Sequence, residues 1–279
     1  MVSRTVDIAD GRSRTLVLAA LIALTAGLVL HTLHTGLSVD GDALTALVDD
    51  YLYNAVIMAG ALLCLARAVV VARERWAWLF FALGIASFGI GEIIGTIVLV
   101  DEVDVPAPSD YFWLASYPFL YVGLILLVRA RVERFYRGMW IDGLIGALGT
   151  ASVVAAVLFD PILEASTAPG LTSTEMVFNL AYPFSDLLLL GFVAFALTLT
   201  GLRTAGGWFL IAIALAAAAA ADVLFVYQDS RGEFVDGTAI DSIYLITPVA
   251  LAWAAWFPPP EHRPIGAQGW RLVIVPAIF

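Results

Sequence analysis

Lysine is absent from the 279 residues, so all fourteen basic side chains are arginines. A retinal Schiff base, which needs a lysine amine, is therefore excluded. Cysteine occurs once, at Cys64, which rules out an internal disulfide and leaves a small buried apolar residue as its reading. Histidine is scarce too, with no pair placed on facing spans to ligate haem, and no cofactor is expected. Charge is the most telling shortage. Only 14% of residues are charged, against about a quarter in an average soluble domain. No Ser-His-Asp set, metalloprotease motif, phosphate loop or kinase motif occurs, and the polar loops are too short for a soluble catalytic domain. The fragment is therefore expected not to be an enzyme.

What is present is apolar. Hydrophobic residues make up 61% of the chain and the mean hydropathy is +0.93. A water-soluble core cannot absorb that surplus, so the expected partner is a lipid bilayer. Eight runs approach the roughly 20 residues needed to cross one, at about 15–35, 52–72, 77–99, 110–128, 139–159, 177–200, 207–227 and 240–257. A ninth begins at Leu272 and reaches only Phe279, so a fragment with a truncated ninth helix is expected. The first run follows three arginines but no clear small-x-small cleavage site, and reads as a retained anchor.

If the runs alternate in direction, thirteen of the fourteen arginines fall on the N-terminal side and only Arg231 falls opposite. Positive residues are retained in the cytoplasm, which predicts a cytoplasmic N-terminus. The opposite loops carry Asp40, Asp42, Asp49 and Asp50, then Asp101, Glu102 and Asp104, then Asp160, Glu164 and Glu175. The net charge of −10 is thus concentrated on one face. With no basic stripe, nucleic acid is not an expected partner.

The stretch Pro108–Pro118, PSDYFWLASYP, is echoed down the chain. Tyr117-Pro118-Phe119 returns as Tyr182-Pro183-Phe184, and Thr247-Pro248 follows 65 residues later. A hairpin period near 65 is therefore expected, with a better match near 130. Arg73, Trp78, Ala82, Ala86 and Glu92 fall on Arg203, Trp208, Ala212, Ala216 and Asp222. With one insertion, Asp110, Trp113 and Leu114 fall on Asp241, Tyr244 and Leu245. The predicted fold is an all-α polytopic membrane protein of eight complete helices in two parallel four-helix repeats. Residues 1–130 form the first repeat and 131–259 the second, with 260–279 a Pro-rich connector and the start of a ninth helix. An even number of spans per repeat predicts a pseudo-two-fold axis along the membrane normal.

The third run carries Gly84, Gly89, Gly91 and Gly95, with Gly91 and Gly95 forming a small-xxx-small pair that favours close helix approach. Glu92 lies among them, and Asp222 follows the Ala214–Ala221 run in the matched span. A carboxyl at that depth costs several kcal/mol unless paired, protonated or wetted. The hinge prolines Pro118, Pro183 and Pro248 free the carbonyls of Leu114, Asn179 and Tyr244. Glu92, Asp110, Tyr117, Tyr182, Asp186, Asp222, Tyr227, Asp241 and Tyr244 are expected to line one or two polar cavities open to the outside. The competing expectation is that they hydrogen-bond to one another and fix helix packing.

His31 and His34 share a helix face beside Asp40 and Asp42. No metal is expected, although these two histidines are the weak candidate for one; otherwise they are solvated interfacial residues. Trp76, Trp78, Trp140, Trp208, Trp253 and Trp256 read as an interfacial belt, and Asp142 as a cap or ion pair beside Arg137. Pro258-Pro259-Pro260 ends the last span.

Taken as a set, certain residues resemble the multi-pass N-terminal membrane region of actinobacterial GGDEF or GGDEF–EAL proteins, the cyclic-di-GMP signalling enzymes. They are Pro108-Ser109-Asp110 with Trp113-Leu114 and Tyr117-Pro118, Asp142-Gly143, and Ala181-Tyr182-Pro183 with Asp186-Leu187-Leu188-Leu189. Ala221-Asp222 with Tyr227, and Asp241 with Tyr244-Leu245, complete the pattern. The match spans about residues 75–260. It departs at Phe257-Pro258-Pro259-Pro260, where the family tends toward a His-Pro-Ser-Met-like ending. The resemblance implies a sensory or anchoring module in a bacterial cell membrane. It also implies an unknown outer-face small ligand, a covalently linked cytoplasmic output domain that is absent here, and a homodimer. The rival reading is a small-molecule or ion-coupled transporter, which tandem repeats, proline-interrupted helices and buried acids also fit.

Overall fold

Leu, Ile, Val, Ala and Phe fill the apolar runs on every face, and the backbone answers as lipid demands, by satisfying its hydrogen bonds within each helix. The computed structural model describes residues 11–37, 42–98, 106–131, 172–200, 206–229 and 237–257, together with residue 235 and isolated positions between 141 and 156. Among the described residues every regular element is helical. Seven helical segments are long and apolar enough to cross a membrane, which makes this a multi-pass membrane protein. They match the first four and last three predicted runs. The fifth run is described only at those isolated positions, and residues 260–279, Trp140 and Asp142 lie outside the described residues.

We number the helices α1 (Gly11–Leu37), α2 (Tyr53–Val70), α3 (Arg75–Ile93), α4 (Pro108–Arg131), α5 (Ser173–Thr200), α6 (Gly206–Asp229) and α7 (Ala239–Trp256). Two spans are lengthened by π-helical turns. Ala46–Leu52 leads into α2, and Ile94–Val98 extends α3. Such turns loosen the regular ladder and occur often near functional sites. Just after the first, the Asn54 side-chain amide of α2 donates to the Asp50 carbonyl (2.7 Å) and to Thr96 Oγ1 (3.0 Å), whose hydroxyl bonds the Glu92 carbonyl (2.8 Å). The two π segments are thus tied to each other.

The packing order closes on itself. α2 packs on α3, α3 on α4, α4 on α5, α5 on α6, α6 on α7, and α7 returns to α2. α1 lies outside this six-membered ring against α7 and α2. Close approach comes from small residues at the crossings, as expected where lipid gives no hydrophobic drive between helices. At the α2–α7 crossing, a Cβ on Gly60 would lie 2.7 Å from Pro248 Cβ and 3.0 Å from its carbonyl oxygen. At the α3–α4 crossing, a Cβ on Gly91 would lie 2.6 Å from the Trp113 ring. Outward faces carry large apolar side chains such as Leu16, Ile22, Leu62, Val69, Phe184 and Phe209, all exposed and suited to acyl chains. Pro118, Pro183 and Pro248 sit inside continuous helices, and Pro248 is a packing surface for Gly60.

The tryptophan belt needs correction. Trp76 is 62% exposed, as an interfacial residue would be, but Trp78 and Trp208 are 0% and 1% exposed and belong to the core. Trp78 reaches inward because Glu74, one turn before it, accepts its indole N–H at 2.8 Å. Glu74 also takes a two-pronged contact from Arg131, Nε to Oε1 at 2.8 Å and Nη2 to Oε2 at 3.1 Å. Arg67 Nη2 stands 3.8 Å from the same carboxylate. Arg131 lies over the Trp208 ring and Arg67 over Trp256, at 5.5 and 5.6 Å from the ring centroids. One buried carboxylate therefore gathers α2, α3, α4, α6 and α7 at the arginine-bearing end.

Candidate functional site

The candidate site is assembled from four consecutive members of the ring. On α4, Asp110 is placed at the helix start, where its Oδ2 accepts the Ala107 backbone N–H at 2.7 Å and caps the first turn. Its Oδ1 accepts the hydroxyl of Tyr182, on α5, at 2.8 Å. Seven residues deeper on α4, Tyr117 shares a helix face with Asp110. Its hydroxyl lies 3.0 Å from Asp186 Oδ1 on α5 and 2.7 Å from Asp222 Oδ2 on α6. Asp222 Oδ1 accepts a second phenol, Tyr244 of α7, at 2.6 Å. The rings of Tyr117 and Tyr182 stand 6.5 Å apart, which brings the Asp110 pair alongside the Asp186–Asp222 pair. A polar line thus descends from the mouth of α4 into the ring.

Six of the nine candidates are joined in this way: Asp110, Tyr182, Tyr117, Asp186, Asp222 and Tyr244. Glu92 is half-buried on α3. Asp241 caps α7, accepting the Thr238 backbone N–H at 2.9 Å in a reciprocal capping box. Asp110 does the same for α4, so the two positions matched in sequence share a local role. Tyr227 is exposed on α6. The hydroxyls of Tyr117, Tyr182 and Tyr244 are directed at carboxyl oxygens. A cavity of about 600 Å³ lies elsewhere, between α1 and the segment leading into α2, with walls of leucine.

Tyr121 was not singled out from the sequence. It stands one turn below Tyr117, and its hydroxyl reaches the Ser185 carbonyl at 2.5 Å, a second bond from α4 to α5. The signal was its spacing from Tyr117, which places both phenols on one face.

His31 and His34 also differ from expectation. His31 is fully buried and His34 nearly so, not solvated. Asp49 is a facing carboxylate, its Oδ1 3.7 and 3.9 Å from the two Nε2 atoms. Asp40 lies outside the described residues, and of Asp42 only the backbone is described. His31 Nδ1 pairs with Ser242 Oγ of α7 at 2.9 Å, and the Tyr53 ring stands 5.4 Å away. Among the described residues no group of three or more His, Cys, Asp or Glu has the geometry to hold a metal ion. The pair instead joins α1 to α7 and to the start of the second span.

Chemically, the cluster can hold a small positive charge and can tie helices together. No family model matches the chain, and no curated protein and no solved structure matches it. The resemblance to cyclic-di-GMP signalling proteins rests on the residue pattern alone.

Proposed function

We propose that this chain is the membrane-embedded sensory or anchoring module of a bacterial signalling protein. It sits in the cell membrane with a cytoplasmic N-terminus and relays an event at its acidic outer face to a cytoplasmic diguanylate cyclase domain. The observation that carries this reading is the buried Asp186–Tyr117–Asp222–Tyr244 network, which draws on α4, α5, α6 and α7 at once. Anything that alters it alters several helix contacts together, and coupling requires such a two-state element biased by a ligand. At the opposite end, Arg67 grips Trp256 at the close of α7, the last described helix. A shift of α7 would pass from Tyr244 to whatever follows Phe257.

The same proposal includes the two-repeat organisation. A two-fold relating α2, α3 and α4 to α5, α6 and α7 is consistent with the closed ring order. The paired caps Asp110 and Asp241 and the paired buried indoles Trp78 and Trp208 fit that relation.

The test is made in the full-length protein, first by reading the frame beyond Phe279 and then by measuring output. A following GG[DE]EF-bearing domain whose cyclic-di-GMP synthesis changes with Glu92→Gln and Asp222→Asn supports the reading. Termination after one or two further spans supports the transporter, which the buried acids of both halves would also serve.

A further inference from the structure

Asp186 and Asp222 present an arithmetic problem. Tyr117 carries one hydroxyl hydrogen but stands within hydrogen-bond distance of both carboxyls, at 3.0 and 2.7 Å. Tyr244 supplies a second hydrogen, to Asp222 Oδ1. Three carboxyl oxygens therefore face two hydrogens, and a phenol can donate only once. The fourth oxygen, Asp186 Oδ2, is buried with no hydrogen-bond partner, on a side chain 4% exposed. The single Tyr117 hydroxyl thus stands between one oxygen of each carboxyl, 3.0 and 2.7 Å away. Two unneutralised carboxylates in such a place would cost several kcal/mol each.

The titratable groups around them come from every packed helix: Tyr117, Tyr121 and Asp110 on α4, Tyr182 on α5, Tyr244 on α7, Glu92 on α3 and Tyr53 on α2. None of these is a cation.

We propose that the Asp186–Asp222 pair is the binding site for one monovalent cation, a proton or a sodium ion, admitted from the acidic end along Asp110 and Tyr182. The bound charge lies between α5 and α6, completes the hydrogen-bond count and draws the two carboxyls together. Its departure leaves two like charges that push the helices apart. This names the ligand of the network on which the proposed function rests.

The experiment uses the purified chain in detergent. In the proton arm, infrared difference spectra across a pH series should show one protonated-carboxyl band that is lost in both Asp186→Asn and Asp222→Asn. In the sodium arm, NaCl but not choline chloride should raise the unfolding temperature of wild type and leave both variants unmoved. Tyr117→Phe keeps both carboxyls and should weaken whichever response is present by about three- to tenfold. A folded wild type with neither response overturns the proposal, as does a response that persists in both asparagine variants. A response present here with cyclic-di-GMP output indifferent to Asp222→Asn would sink the signalling reading and leave the cation site standing.

Discussion

Removing the Glu74 side chain, as in Glu74→Ala, should be among the most damaging single changes in the arginine-bearing half of the bundle. Glu74 is 6% exposed and accepts from Arg131 twice and from Trp78 once, with Arg67 3.8 Å away. Its loss leaves two guanidinium groups near one another in the interior. Breaking a buried pair by deleting one partner costs about 3–5 kcal/mol, because the surviving charge stays desolvated. The stranded Trp78 N–H would cost about 1–3 kcal/mol if counted alone. These figures do not add, since the contacts share one carboxylate. A spanning helix that has lost its neighbours also finds other partners in lipid, which trims the cost further. The expected loss is about 3–5 kcal/mol in reversible denaturant unfolding of the purified protein. Glu74→Gln keeps one acceptor for the indole and should lose about 1.5–3 kcal/mol. Replacing both partners with methionine, Glu74→Met with Arg131→Met, should recover about 1–2 kcal/mol of the alanine loss, since one guanidinium leaves with the carboxylate while Arg67 remains. If Glu74→Ala unfolds within about 0.5 kcal/mol of wild type, the network does not organise that end of the ring.

Other variants test the crossings and the site. Gly91→Ala should destabilise by about 1–3 kcal/mol, because its Cβ would meet Trp113 at 2.6 Å and the Ser109 carbonyl at 3.1 Å. Gly95→Ala, in the same motif but with its nearest contact at 3.5 Å, should change stability by less than about 0.5 kcal/mol, and unfolding of the two side by side checks the contrast. Gly60→Ala should loosen the α2–α7 closure, seen as reduced cross-linking between cysteines placed on those helices, because the obstructing atoms belong to proline and its carbonyl and cannot rotate away. Tyr182→Phe should cost about 0.5–1.5 kcal/mol in unfolding through the lost bond to Asp110, while leaving the Tyr117 contacts in place.

How much of this could be read beforehand varies with the physics involved. Spans follow from unbroken apolar runs, and seven of them fall where hydropathy put them. Asp186, Asp222, Tyr117 and Tyr244 stood out because polar groups within such runs demand partners. Which partners they take depends on helix order, and no local pattern carries that. Glu74 escaped notice because an acid beside Arg73 and Arg75 looks like an ordinary interfacial charge. Only the return of α4, with Arg131 at its end, turns it inward. Trp78 and Trp208 look like belt residues by depth and become core residues through the same ring closure. For His31 the partner Asp49 sits on the π-helical entry to α2, eighteen residues along the chain, and no local pattern pointed to it.

The most direct measurement is a double-mutant cycle between Tyr117→Phe on α4 and Asp222→Asn on α6, read by unfolding of the purified protein. Side chains that share a hydrogen bond at the centre of a closed ring should couple by about 0.6–1.7 kcal/mol. Two changes that add within about 0.3 kcal/mol would mean that the carboxyl and the phenol are independent and that no buried network joins the two halves.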